Sequence, residues 1–214
     1  WIADQALLPE ISWNVGASLM QGFSFKKRKG SLSLDAYHTR FSQQLVADRD
    51  TLSGAVVFKN LQNNSLATVI QAEFSYAVLK GLDLRLAYKF QDVRALFDGT
   101  LQTQVLLPRQ RLFANMAYQT RNKRWNYDLT YSRYSAVRLP QGGQGSPWGL
   151  LNAQVTRNWK ALELYAGGEN LLNVMQHHPI VGVQDPFGEN FDATEIWSPI
   201  MGWNVYLGLR YTIK

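Results

Sequence analysis

Residues 203–213 read Trp-Asn-Val-Tyr-Leu-Gly-Leu-Arg-Tyr-Thr-Ile, and every second side chain is apolar. Trp203, Val205, Leu207, Leu209, Tyr211 and Ile213 fall on one side, Asn204, Tyr206, Gly208, Arg210 and Thr212 on the other. A strict period of two is that of a β-strand with one dry face and one wet face. A run of this length is what a tilted strand needs to cross a bilayer, about 9–11 residues. The segment therefore predicts membrane barrel wall.

Composition is compatible with that expectation. Of 214 residues only 18% are charged while 13% are aromatic, so Trp, Tyr and Phe together outnumber the acids, which is aromatic-rich for a soluble domain. No window approaches the roughly 18 consecutive apolar residues of a transmembrane helix. The chain has no Cys, which suits the periplasm or the exterior and is also common in cytosolic proteins. It begins at Trp1 without a leader, so it is expected to be a processed product or a piece of a longer protein. The net charge of +6 raises nucleic acid as a partner, but Lys26, Lys27, Arg28, Lys29, Lys80, Arg121, Lys123, Arg124, Lys160 and Lys214 concentrate in short turns or at the terminus. Nucleic-acid binding would need basic residues interleaved with aromatics on one sheet face, so no nucleic-acid partner is expected. Solvated turns or attraction to anionic inner-leaflet headgroups both account for the clustering.

Nine alternating segments can be marked, at about residues 12–25, 31–44, 66–78, 84–91, 112–120, 125–134, 151–158, 162–169 and 203–213. Within hairpins the connections are short, as at Lys26 to Gly30 and Lys80-Gly81. Those near Ala47 to Asn64, Asp92 to Arg111, Ala136 to Gly149 and Asn170 to Met201 are roughly ten to thirty residues. Short turns at one end and long loops at the other is the wiring of an outer-membrane barrel with short periplasmic turns and long extracellular loops. On that wiring the last strand descends and Lys214 is periplasmic. Trp13 and Phe23, ten residues apart on one face, lie about 23 Å apart along the normal of a bilayer for a strand tilted by about 45°. The apolar belt between aromatic girdles is about 25 Å tall. Tyr76, Tyr118 and Trp125 cluster at the turn end.

Tyr-Ala-Gly-Gly-Glu-Asn-Leu-Leu-Asn at 165–173 is followed by His178-Pro179-Ile180, Asp185-Pro186-Phe187-Gly188, Phe191-Asp192-Ala193 and Ser198-Pro199-Ile200-Met201-Gly202. With Pro9-Glu10 before Ser12-Trp13-Asn14 and with Gly30 to Asp35, this ordered series resembles the C-terminal part of TonB-dependent outer-membrane receptors, especially those of Bacteroidetes type. The resemblance covers essentially the whole chain. It implies an all-β, antiparallel transmembrane barrel of about 22 strands whose lumen holds a plug. Residues 1–214 would supply about nine of those strands, the plug and the TonB contact segment lying outside this sequence. The implied function is TonB-energised import of a scarce nutrient, a siderophore, vitamin, peptide or glycan, across the cell outer membrane of a Gram-negative bacterium. The implied partners are the plug and the remaining barrel strands, the TonB complex, the barrel-assembly machinery, and lipid and lipopolysaccharide, with room for a surface lipoprotein. Gly208, Tyr211 and Ile213 match the family's assembly signal, although Lys214 stands where many such proteins end in an aromatic residue.

The residues expected to face the lumen or plug are Gln71, Glu73, Arg85, Lys89, Asp128, Glu163, Glu169 and Arg210. A charge facing lipid at mid-depth would cost about 2–4 kcal/mol, so these need a wet or protein-filled interior. Arg133 and Arg157 fall in the lipid-facing register near strand ends, where long side chains snorkel. The loop of 170–201 carries His177-His178, Asp185, Glu189, Asp192 and Trp197, but adjacent histidines on extended backbone point apart, so no metal site and no cofactor are expected. Asp185 to Gly188 reads as turn chemistry. No catalytic residues are expected: Asp35 and His38 fall on opposite strand faces, and no strained nucleophile turn is present. A soluble β-sandwich that binds carbohydrate through exposed Trp residues shares the alternation and is the alternative.

Overall fold

The computed structural model describes residues 2–3, 6–50, 56–97, 100–188 and 191–213. Lys214 and Glu189 lie outside the described residues. Nine strands form the antiparallel path of an eleven-stranded sheet, to which Ile2–Ala3 (parallel to Val57–Phe58) and Thr100–Thr103 also add: β1 (Ile11–Phe25), β2 (Arg28–Asp48), β3 (Val57–Leu79), β4 (Leu82–Phe97), β5 (Gln110–Gln119), β6 (Trp125–Tyr134), β7 (Trp148–Trp159), β8 (Leu162–Glu169) and β9 (Asn204–Tyr211). Each pairs with its neighbour in sequence, leaving β1 and β9 at the two edges. No described helix is long and apolar enough to cross a membrane.

Register decides which residues share a face, because directly opposed residues point the same way. Leu32, Phe74, Leu86, Ala114, Tyr131 and Leu151 form one continuous row across β2 to β7. Gly22, Ser31, Ser75, Arg85, Asn115, Thr130 and Asn152 form another across β1 to β7, on the opposite face. The apolar rows are open: Leu19 is 63% exposed and Leu207 81%. A soluble sandwich would bury such rows against a second large sheet. The sheet carries no such layer over them among the described residues.

Four tight connections lie at one end. Lys26 and Lys27 both take positive φ (48° and 61°), so Phe25 and Arg28 pair directly across a two-residue hairpin of the type whose twist matches the strands. The expected turn of Lys26 to Gly30 is thus narrower, with Arg28 and Lys29 already in β2. Lys80-Gly81 and Lys160-Ala161 close two more hairpins, and residues 120–124 the fourth.

The long-connection end departs further from expectation. β2 and β3 run 21 and 23 residues, so much of the connection expected at Ala47 to Asn64 is strand. The alternation loses phase there because the ladder slips between Phe41 and Gln43. Past Phe97, Thr100–Thr103 folds back onto β4. Val137–Arg138 pairs with Gln144–Gly145. The buried apolar residues Val46, Val57, Ala95, Val105 and Val137 all belong to this end, so what core the described residues have sits beneath the long connections. Asp48 is held by Lys59 at 2.5 Å and Asp50 by Arg138 at 2.7 Å, which ties the ends of β2 and β3 to the 135–147 connection. β9 ends at Tyr211, short of the expected 213, because its hairpin partner begins at Leu162; the last backbone bond is Thr212 N–H to the Ala161 carbonyl, 2.9 Å.

Candidate functional site

All eight residues expected to face the lumen lie on the polar face, and they sort into two hollows. Asp128, Glu163, Glu169 and Arg210 line a hollow of about 720 Å³ with Gln154, Tyr165 and Tyr206. Gln71, Glu73, Arg85 and Lys89 line one of about 280 Å³ with Arg111 and Phe113. The first carries three acids against one base, the second three bases against one acid. The polar face is therefore electrically divided along the sheet.

Each hollow is built by cross-strand pairs. In the basic one, Gln71, Lys89 and Arg111 stand side by side on β3, β4 and β5, and Arg111 continues onto the Tyr134 ring at 5.0 Å. Tyr134 stacks on Trp148 at 4.0 Å. Arg85 grips Glu73 with two bonds, Nε at 2.9 Å and a terminal nitrogen at 2.8 Å, the forked geometry a planar guanidinium provides. In the acidic hollow, Arg210 donates to Glu163 at 3.1 Å directly across the β8–β9 hairpin. Asp128 accepts from Asn115 at 3.1 Å. The Tyr206 hydroxyl donates to Gln154 at 2.9 Å. Tyr206, Gln154 and Arg111 were missed as site residues: Tyr206 stands two turns of the pleat from Arg210 in the wet row of residues 203–213, and the same parity carried onto β7 and β5 names Gln154 and Arg111.

Two interlocked pairs explain glycine on this hairpin. Gly208 faces Tyr165 and Gly167 faces Tyr206. A Cβ on Gly208 would lie 2.3 Å from the Tyr165 ring, and one on Gly167 2.4 Å from the Tyr206 hydroxyl and 2.9 Å from the Ala153 carbonyl oxygen. Each ring lies where the opposing side chain would stand. Gly208 thus has a packing role alongside its place in the expected assembly signal. Tyr211 (66% exposed) and Ile213 (87%) point to the apolar face.

On the apolar face, rings gather at the turn end. Phe23 stacks with Phe74 and Tyr76, and Tyr127 with Tyr118 and Trp125. Such rings suit an interface because they are apolar with a polar rim or tip. Arg157 sits between indoles, 4.6 Å from Trp125 and 5.0 Å from Trp159, so its charge rests on ring faces.

The 170–203 loop is closed by amides. Asn170, 6% exposed, receives Val174 N–H at its side-chain oxygen and donates to the Val174 and Met201 carbonyls. Asn173 accepts Trp203 N–H. Gln176 accepts from Trp197 and Ser198 while donating to the Glu195 carbonyl. The Asn-Leu-Leu-Asn motif is thus the latch at the loop's base. Burial and then the nearby Asp192 raise the Glu195 carboxyl above its ordinary range, with Arg49 opposing. His177 and His178 are both exposed, and His38 bonds Thr68 through Nδ1 at 2.9 Å on the face opposite Asp35.

Residues 2–171 match the family described as TonB dependent receptor-like, beta-barrel. The chain belongs to the TonB-dependent receptor family. The match is to the family as a whole and does not separate a Bacteroidetes type. TonB-dependent receptors are outer-membrane β-barrel transporters, not enzymes, and the family implies a plug domain and interaction with TonB. No curated protein sequence matches the chain. Among solved structures, it is similar to a ferric enterobactin receptor mutant from Pseudomonas aeruginosa in complex with enterobactin (TM-score 0.60, 15% identity). It is also similar to the copper transporter OprC (TM-score 0.62, 10% identity) and the FrpB iron transporter from Neisseria meningitidis (TM-score 0.60, 11% identity). In all three, 94% of this chain is covered against 31% of the other, so the chain spans about a third of the receptors it resembles.

Proposed function

We propose that residues 1–214 are the C-terminal part of the barrel of an outer-membrane active-transport receptor, with the polar face toward a plugged lumen and the apolar face toward lipid. The observation that carries this reading is the separation of polar from apolar rows across nine strands, from the tight turns up to the slip between Phe41 and Gln43, in a chain of this family. Charges such as Arg85 and Arg210 stand on the polar face, where a wet or protein-filled interior accommodates them. Short turns are then periplasmic and the 170–203 loop is outside. TonB-coupled rearrangement of the plug drives import of a scarce nutrient, and Gly208, Tyr211 and Ile213 serve recognition by the assembly machinery.

The cargo reading follows from the basic, ring-lined row at the long-connection end of the polar face, Lys89, Arg111, Tyr134 and Trp148. Such a row suits a metal complex with net negative charge, and the similar receptors are named for iron or copper. In the complete receptor, Lys89→Gln with Arg111→Gln should weaken binding of an anionic iron chelate by about tenfold or more, two charge-assisted contacts being lost, at unchanged outer-membrane level. Equal binding of anionic and neutral chelates by both proteins would overturn the cargo reading.

A further inference from the structure

We propose that Arg85 is the exchangeable rung of an anion path down the polar face of β2 to β5, passing cargo from Lys89 and Arg111 toward Lys29 at the turn end. This rests on the cargo reading above. Lys89 and Arg111 share one row. Arg85 lies four residues nearer the turns on β4, about 13 Å along the strand. Ser31 and Ser75 share its row, and Lys29 is the next residue of β2 on that face toward the turn. Two hollows meet at Arg85. It lines the one of about 280 Å³ with Lys89 and Arg111, and another of about 540 Å³ with Lys29, Asn115 and Asp83.

The Arg85 side chain leans out of its own row. Its opposites are Ser75 and Asn115, yet Asn115 is turned to Asp128, and the guanidinium grips Glu73, which stands opposite Ala87 one row nearer the long connections. Phe113, opposite Ala87 on the other side, lies 5.9 Å from the same guanidinium. Two neighbours thus place the charge in the row above its own, toward Lys89. Released from Glu73, the arm can fall back by one row, about 7 Å, into the lower hollow. The pair is weak enough to exchange, because the Arg85 side chain is 56% exposed and exposed ion pairs contribute little. A chelate with several anionic oxygens offers the guanidinium fork more than a single carboxylate does. Charge also confines the path to this side. Glu73 and Asp83 are the acids lining the two hollows, against Lys29, Arg85, Lys89 and Arg111. Asp35, in the row of Gln71 and Lys89, accepts from the Ser18 hydroxyl. Beyond Asn115 the wall turns acidic at Asp128, Glu163 and Glu169, which repels an anion.

The test uses cells carrying the complete receptor and two radioiron-labelled chelates, an anionic ferric tricatecholate and a neutral ferric trihydroxamate. Equilibrium binding is read without the proton gradient and uptake with it. Arg85→Gln should leave tricatecholate binding within about twofold of the wild type and lower its uptake about tenfold, Arg85→Lys recovering most of the rate. Glu73→Gln, which leaves the guanidinium without its resting partner, should raise tricatecholate retention several-fold, a gain that misfolding cannot mimic. Entry of a bulky glycopeptide antibiotic reports the plug, and it should stay at the wild-type level in Arg85→Gln. Wild-type uptake by Arg85→Gln, or a loss of uptake accompanied by antibiotic entry, overturns the path and leaves the cargo reading in place. Wild-type cells that bind the two chelates alike, or bind neither, overturn the cargo reading itself.

Discussion

The two faces of the β8–β9 hairpin share a backbone and are almost equally open: Leu207 on one is 81% exposed, the Arg210 side chain on the other 72%. What separates them is how their atoms are satisfied. On the polar face Arg210 holds Glu163, Tyr206 holds Gln154, and the Tyr165 and Tyr206 rings cover opposing glycines. On the apolar face Val205, Leu207 and Leu209 stand opposite Gly168, Ala166 and Leu164, with no polar atom offered. One face is cross-linked to itself and the other is a plain surface that needs an apolar solvent. Substitutions on the first should therefore act locally, and on the second through the medium.

The largest expected effect is at Leu207→Arg. Placed mid-strand against acyl chains, the guanidinium costs about 2–4 kcal/mol, enough to block assembly of the complete receptor. The heat-modifiable folded band in outer-membrane fractions reads this, and a wild-type amount of that band would place bulk water against the apolar face. A smaller loss is expected for Gly167→Ala, about 1–3 kcal/mol, because the new methyl displaces Tyr206 from Gln154 and crowds the Ala153 carbonyl. Adding Tyr206→Ala should recover part of that loss in a urea titration; additive costs would mean the ring and the glycine are not coupled. Gly208→Ala should cost less, since only the free end of the Tyr165 ring must swing aside.

Legibility in the sequence follows the same division. Parity is a local property, so strand identity and the face of all eight polar residues were readable wherever the ladder keeps phase. It failed at the outer ends of β2 and β3, where the slip between Phe41 and Gln43 breaks the period and Gln43 to Asp48 no longer alternates. Contacts that depend on register were out of reach for a different reason. That Tyr206 meets Gln154, 52 positions earlier, requires knowing how β7, β8 and β9 align. The Asn170 latch likewise depends on the loop returning at Met201, a closure that spacing does not encode. The split of the eight residues into an acidic and a basic hollow needed both.

The smallest effect is expected at Arg210→Gln, and it sharpens the comparison most. Its pair with Glu163 is exposed on both sides, so the ion pair contributes about 0–1 kcal/mol. Glutamine keeps a donor for the carboxylate and remains on the polar face, and assembly should match the wild type within error. Leu207 and Arg210 are three positions apart on one strand, yet losing a charge at 210 is expected to be silent where gaining one at 207 is not. If both variants assembled equally poorly, the hairpin would be responding to strand pairing rather than to its surroundings, and the assignment of its faces would have to be exchanged for one based on the edge it presents to the missing neighbour of β9.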